Sequence, residues 1–151
     1  RLLEERLPVE SVTVMVQKEA AQRLCAPMGS RQCGAVTAAV QYYSEPEVLF
    51  QVSRGSFFPA PNVDSAVIRL SIRKTPPVET ADEAWFFKVV HAAFSQRRKT
   101  LPNPLSASLG IKKQAIIDAL LSCGLTATAR AEELSLHEFA SLADKLLEAR
   151  G

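Results

Sequence analysis

The sequence predicts an α/β fold that runs out of strands halfway along and finishes as a small all-helical unit. Three observations carry this. Segments before residue 74 alternate apolar and polar residues at the period of a strand. Lys74-Thr-Pro-Pro-Val78 then places two prolines where no ladder can continue. Beyond it, the apolar residues recur at spacings of three and four. With 151 residues, 47% of them hydrophobic and 23% charged, the chain has enough apolar surface for a core. No apolar run approaches the roughly 20 residues of a membrane span, so no membrane partner is expected.

Each element has its own signal. Ser11 to Val16 is β-branched and puts Val12, Val14 and Val16 on one face of a strand. Lys18 to Cys25 is a helix of good formers, ended near Pro27, Met28 and Gly29. Ala35 to Tyr43 is a second helix. Val48, Phe50 and Val52 alternate in a strand expected after Pro46, and Ala66, Ile68, Leu70 and Ile72 alternate in a third. In the second part, Thr80 and Glu83 have the spacing of a capping box before a helix buried through Trp85, Phe86, Val89, Val90, Ala93 and Phe94. Lys112 to Cys123 follows, with Ile116, Ile117, Leu120 and Leu121 on one side and Gly124 as its stop. Ser135 and Glu138 open a last helix through Phe139, Leu142, Leu146 and Leu147.

Three strands with two helices make an awkward half-sheet, which would leave an edge or an apolar face uncovered. The first residue is Arg1, not Met. Together these give the expectation that the chain is the C-terminal portion of something larger. The six glycines never fall two apart, so no G-x-G phosphate-binding turn exists here. Three cysteines, Cys25, Cys33 and Cys123, form no C-x-x-C pair, which disfavours disulfides and a zinc site and fits a cytoplasmic protein. His91 and His137 lie 46 positions apart with no ligand spacing, so no metal is expected.

The net charge of +2 hides segregation. Residues 84 to 117 hold Lys88, Arg97, Arg98, Lys99, Lys112 and Lys113 and no acid, whereas residues 118 to 148 hold six acids against Arg130 and Lys145. A basic run centred on Gln96-Arg-Arg-Lys-Thr100 is the footprint of phosphate contacts, each of which releases a counterion. A solvated helix end is the plainer reading.

Two stretches weigh against the plainer reading. Phe57-Phe-Pro-Ala-Pro-Asn-Val-Asp-Ser65 fits F-x-P-x-P-x-V-D-S, and Phe94-Ser-Gln-Arg-Arg-Lys-Thr-Leu101 fits F-x-Q-R-R-K-T-L. With Gln17-Lys-Glu19 and Arg23, Gln41-Tyr-Tyr43, and Arg130-Ala-Glu with Leu134-Ser135, the chain resembles the small-subunit ribosomal RNA adenine dimethyltransferase family of the KsgA type. The likeness runs from about Val12 to Leu146. A sister group, the macrolide-resistance methyltransferases of large-subunit rRNA, shares the proline element but lacks the Q-R-R-K-T stretch. Cys33 stands where the family usually has Tyr, and Pro102 where it usually has Arg.

The resemblance implies a Rossmann-like methyltransferase sheet, of which residues 1–74 would be the C-terminal half, followed by a helical RNA-docking domain over 80–151. It implies transfer of methyl groups from S-adenosylmethionine to the exocyclic amines of two adjacent adenines near the 3′ end of small-subunit rRNA, in ribosome biogenesis. The partner would be the immature small ribosomal subunit. The family's cofactor loop and its N-L-P-Y catalytic motif precede the segment this chain matches, so no catalytic and no cofactor-binding residue is expected here. Phe57 would stack on the extruded target adenine, with Phe58, Pro59 and Pro61 as loop scaffold. The alternative for both rings is a core anchor at a strand end. Asp64 and Ser65 would turn the chain into the last strand. Gln96, Arg97, Arg98, Lys99, Lys112 and Lys113 would contact RNA. Gln17, Lys18 and Glu19 would line the route to the site or begin a helix, while Arg69 and Arg73 would be solvated. A rival from another class is a non-catalytic nucleic-acid-binding factor of the same superfamily, in ribosome assembly or mitochondrial transcription. An unrelated helical domain with a chance proline motif is the third reading.

Overall fold

The computed structural model describes residues 3–5 and 8–150. Three strands, β1 (Ser11–Gln17), β2 (Ser44–Val52) and β3 (Ser65–Ile72), make a sheet of order β1-β3-β2 with β3 antiparallel to both neighbours. Helices α1 (Lys18–Leu24) and α2 (Ala35–Tyr43) lie between β1 and β2 in the chain. Four more follow: α3 (Glu83–Phe94), α4 (Pro102–Leu109), α5 (Lys113–Ser122) and α6 (Leu136–Arg150).

One sheet face is buried as the alternation requires. Val12, Val14 and Val16 stand opposite Leu70, Ile68 and Ala66, and Ala21 of α1 and Val40 of α2 close over them. The other face carries Met15, Val67 and Phe50 in a row, with Met15 53% and Phe50 56% exposed. The uncovered apolar face expected of a half-sheet is therefore present among the described residues.

The second strand departs from expectation in two ways. It begins at Ser44, ahead of Pro46, and an edge position accommodates the proline. A bulge then falls between Val48 and Phe50, so Val48 opposes Ile68 while Phe50 opposes Val67. One extra residue inverts the facing of everything after it. Phe50 and Val52 thus leave the face of Val48, against the simple alternation.

The larger core is helical. Phe86, Val89 and Val90 of α3, Leu105 of α4, Ile116 and Leu120 of α5, and Phe139, Leu142 and Leu146 of α6 are all buried in it. Ala38 and Tyr42 of α2 join this core while Val40 faces the sheet, so α2 is packed on both sides. Trp85 is buried and donates its indole N–H to the Ala143 carbonyl at 2.9 Å, tying α3 to α6.

Two expectations for this part need correction. The cap of α3 is Asp82, whose carboxylate accepts from Trp85 N at 3.0 Å. Thr80 instead bonds Asp144 of α6 at 3.1 Å, and Glu83 accepts from two tyrosines, so no T-x-x-E box forms. On α5, Leu121 is 57% exposed, and Ile116, Ala119 and Leu120 make the buried side. Helix α4 had no signal in the sequence reading. It starts with Pro102 at a first-turn position, where the missing N–H is not needed. The Ser135–Glu138 box does form, with reciprocal bonds of 2.9 and 3.1 Å. Gly124 follows α5 with φ +78°, the left-handed stop expected there.

Candidate nucleic-acid interface

The loop between β2 and β3 is closed at its base by polar bonds. Asp64 accepts from Arg54 N at 2.9 Å through its carboxylate and from Lys18 N at 2.9 Å through its carbonyl. The Arg54 guanidinium reaches across to the Asn62 carbonyl at 3.2 Å. Asp64 therefore closes the loop onto the start of α1, beyond turning the chain into β3. At the tip, Phe57 is half-buried whereas Phe58 is fully exposed, and Pro59 and Pro61 are exposed beside it. The Phe58–Pro59 peptide is cis. Each proline holds φ near −65°, which limits how far the rings can wander.

A cavity of about 460 Å³ opens beneath this loop, lined by Gln17, Lys18, Glu19, Gln22, Arg54 and Asp64 with Val63. A second, of about 210 Å³, is lined by Glu19, Gln22, Arg23, Arg31, Gln32 and Arg97. The two share Glu19 and Gln22 of α1. The exposed side of α1 thus joins the base of the loop, at Arg54, Val63 and Asp64, to Arg31 and Arg97. Gln17, Lys18 and Glu19 lie on that side and also begin the helix.

The basic cluster follows α3. Gln96, Arg98 and Lys99 are exposed on a turn closed by Lys99 N donating to the Gln96 carbonyl at 2.9 Å. Leu101 is fully buried and donates its N–H to Ala129 at 2.9 Å, which anchors the turn. Arg97 is placed differently. Its Nη2 donates to the carbonyls of Arg31 and Cys33, the latter at 2.8 Å, and its Nε lies 4.0 Å from Glu132. Lys112 and Lys113 stand exposed at the start of α5, with no acid in that first turn. Arg69 and Arg73 are paired with Glu47 and Glu45, and Arg73 also donates to the carbonyls of Gln41 and Ser44 at 3.0 and 3.2 Å. Arg69 is solvent-exposed as expected, with its ion pair on the surface, whereas Arg73 is half-buried and tied to the backbone at the end of α2.

Several motif residues outside the basic cluster turn out to be joints. Thr37 donates to the Arg23 carbonyl at 2.7 Å, and the Gln41 amide donates to the Ala26 carbonyl. Tyr42 and Tyr43 both donate to Glu83 at 3.0 Å, linking α2 to α3. Burial, followed by the Glu83 carboxylate, pushes the Tyr43 hydroxyl well above its usual range. Burial likewise raises the Cys25 and Cys123 thiols, which favours the neutral thiol over the thiolate. Among the described residues, no three His, Cys, Asp or Glu side chains group as metal ligands. Glu83 and Glu132 carry local signals in the sequence, but their roles as joints depend on Tyr42, Tyr43 and Arg97, which lie 35 to 41 positions away.

The residues present do not fit S-adenosylmethionine. The cavity under the loop has Val63 as its only aliphatic side chain, with no glycine-rich turn to admit a nucleoside.

Comparison with known proteins agrees with the geometry. The family model described as ribosomal RNA adenine dimethylase matches residues 1–148. Ribosomal RNA small subunit methyltransferase A of Pelotomaculum thermopropionicum is 51% identical over 152 residues, covering 100% of this chain and 52% of that protein. The protein of the same name from Geobacillus thermodenitrificans is 51% identical over 150 residues, covering 97% of this chain and 51% of that one. The chain therefore spans about half the length of the curated relatives it matches. Among solved structures, a dimethyladenosine transferase from Plasmodium falciparum superposes with a TM-score of 0.73 at 23% identity, covering 97% of this chain and 59% of that one. The 23S rRNA methyltransferase ErmE gives 0.66 at 24%, covering 95% and 57%. Both structures share the α/β fold, consistent with part of a Rossmann-like methyltransferase. The family match over nearly the whole chain settles its membership: the chain belongs to the ribosomal RNA adenine dimethylases.

Proposed function

We propose that this chain is the RNA-facing half of a small-subunit rRNA adenine dimethyltransferase. Residues 1–74 supply the end of the methyltransferase sheet and its base-presenting loop, and residues 80–151 supply the docking domain. The substrate is the 3′ region of small-subunit rRNA in an immature subunit, and the setting is cytoplasmic ribosome biogenesis. S-adenosylmethionine is bound by parts of the enzyme outside these residues.

One observation carries this reading. Glu19 and Gln22 connect the cavity under the aromatic loop with the cavity beside the basic cluster. A strand whose phosphates lie on Arg98 and Lys99 can follow α1 to place a base against Phe57 or Phe58. Adenine amines are poor nucleophiles in a base-paired stack, so extrusion and a flat aromatic support are what the chemistry needs. Methyl transfer from a sulfonium requires placement more than a strong base, which fits a half that supplies binding surfaces.

The test is binding of a hairpin from the 3′ end of small-subunit rRNA over a salt series. Replacing Arg98 and Lys99 together by Ala is expected to lower the log–log salt slope by about 1.4–1.8, at 0.7–0.9 per phosphate contact. An unchanged slope removes the basic cluster from the interface.

A further inference from the structure

Arg97 does not share the situation of its cationic neighbours. Arg98 and Lys99 are exposed, and their side chains make no hydrogen bond or ion pair among the described residues. The Arg97 guanidinium reaches across to the α/β part. Its Nη2 serves the carbonyls of Arg31 and Cys33, and its Nε faces the Glu132 carboxylate. A two-pronged grip on phosphate uses two nitrogens along one edge of the guanidinium. Each edge of this one already has a nitrogen engaged.

The surroundings are built around this reach. Glu132 is 18% exposed at its side chain and is shared between Arg97 and Arg130, whose Nη1 lies 3.6 Å away. Arg130 in turn donates from Nη2 to the Arg97 carbonyl at 3.1 Å, and its Nε is buried without a partner. Cys33 is fully buried, with its sulfur 3.8 Å from the Glu132 carbonyl. These contacts close the segment 30–34, which leads into α2, onto the turn Ala131–Glu133 of the helical part. Arg31 and Arg23 line the cleft on the far side.

Resting on the functional reading above, we propose that Arg97 is a positioning residue for RNA docking. It latches segment 30–34 to the helical domain, and so sets the spacing between Arg31 and Arg23 on one side and Arg98 and Lys99 on the other. A guanidinium suits two carbonyls and a carboxylate at once; a lysine ammonium has no such planar fork. When the latch is lost, the docking-competent arrangement is populated only part of the time, and apparent affinity falls by that fraction.

The experiment uses the full 151-residue chain with Arg97→Ala, Arg97→Lys, Glu132→Gln and Arg98→Ala, measuring melting temperature, affinity for the labelled rRNA hairpin and its salt slope. Arg97→Ala is expected to melt lower and bind about 3–10-fold more weakly while keeping the wild-type slope. Arg97→Lys should not restore binding, and Glu132→Gln should shift both quantities the same way. Arg98→Ala should show the reverse, a slope lower by about 0.7–0.9 at unchanged melting temperature. An Arg97→Ala slope that falls like that of Arg98→Ala, or a lower melting temperature with unaltered affinity of the folded molecules, overturns the proposal. If the wild-type chain itself does not bind the hairpin, the functional reading fails. The latch is then read from amide exchange at residues 31–34: faster exchange in Arg97→Ala supports it and equal exchange rejects it.

Discussion

Glu83 offers a quantitative handle on how the two parts of the chain are joined. It is the first residue of α3 and accepts a hydrogen bond from each of Tyr42 and Tyr43 at 3.0 Å. The rings above those hydroxyls form one cluster, with Tyr43 stacked on Phe87 at 5.6 Å and Tyr42 edge-on to Phe87 at 5.0 Å. Hydrogen bonds to a charged group contribute about 1.5–3 kcal/mol each, and the half-buried carboxylate argues for the lower end. Glu83→Ala should therefore destabilise the chain by about 3 kcal/mol, from two bonds of about 1.5 kcal/mol each. At the 2–4 °C per kcal/mol typical of this size, that is a fall of about 6–12 °C in melting temperature. Alkaline titration adds a second readout. The Tyr43 hydroxyl is raised in the folded state, so its contribution is complete below the unfolded value of about 10 and is lost as pH rises above it. Burial is the first cause and remains in Glu83→Gln, whereas the repulsion from the carboxylate does not. The glutamine variant should thus lose stability less steeply above pH 10 than the wild type. A melting temperature of Glu83→Ala within about 1 °C of wild type would refute the reasoning.

The loop phenylalanines should separate cleanly in a combined melting and RNA-binding assay. Phe58→Ala removes only exposed surface, so stability should hold within about 0.5 kcal/mol, whereas Phe57→Ala should cost about 1–2 kcal/mol, part of what truncating a fully buried Phe costs. Whichever ring stacks on a base should lose about 1–3 kcal/mol of binding on truncation, in line with other base–aromatic contacts. Gly124 has φ +78° with open space where a Cβ would lie, so Gly124→Ala should lower stability by about 1 kcal/mol through backbone strain alone. Ser135→Ala removes the acceptor for Glu138 N at 3.1 Å and should lower unfolding free energy by about 1 kcal/mol in urea titration.

What could be read from the sequence followed from local chemistry. The Val12–Val14–Val16 face, the Ser135–Glu138 cap and the Gly124 stop are set by neighbours within four residues, and the structure shows all three. Helix α4 was missed because Pro102 and Pro104 mark loops wherever the first-turn position is not recognised. Asp82 rather than Thr80 caps α3 because Asp144, 64 positions further along, takes the Thr80 hydroxyl. The bulge between Val48 and Phe50 left no trace in an apolar run that reads as plain alternation. The candidate site divides in the same way. Its motifs were recognisable as Phe57 to Ser65 and Gln96 to Thr100, but the different surroundings of Arg97 and Arg98 were not. That difference depends on Arg31, Cys33 and Glu132, whose approach is a property of the packed fold.

Methyl transfer by a chimera tests the central claim most directly. The N-terminal half of the Pelotomaculum thermopropionicum methyltransferase, joined to this chain in the register of their 51% identity, would be given S-adenosylmethionine and undermethylated small subunits. Dimethyladenosine would then be counted by mass spectrometry. Two dimethylated adenines per subunit, reduced when Arg98 and Lys99 are replaced by Ala, is the expected result. A folded chimera that binds S-adenosylmethionine and the subunit yet leaves every adenine unmodified would contradict it, and would place this chain with the non-catalytic RNA-binding members of its superfamily.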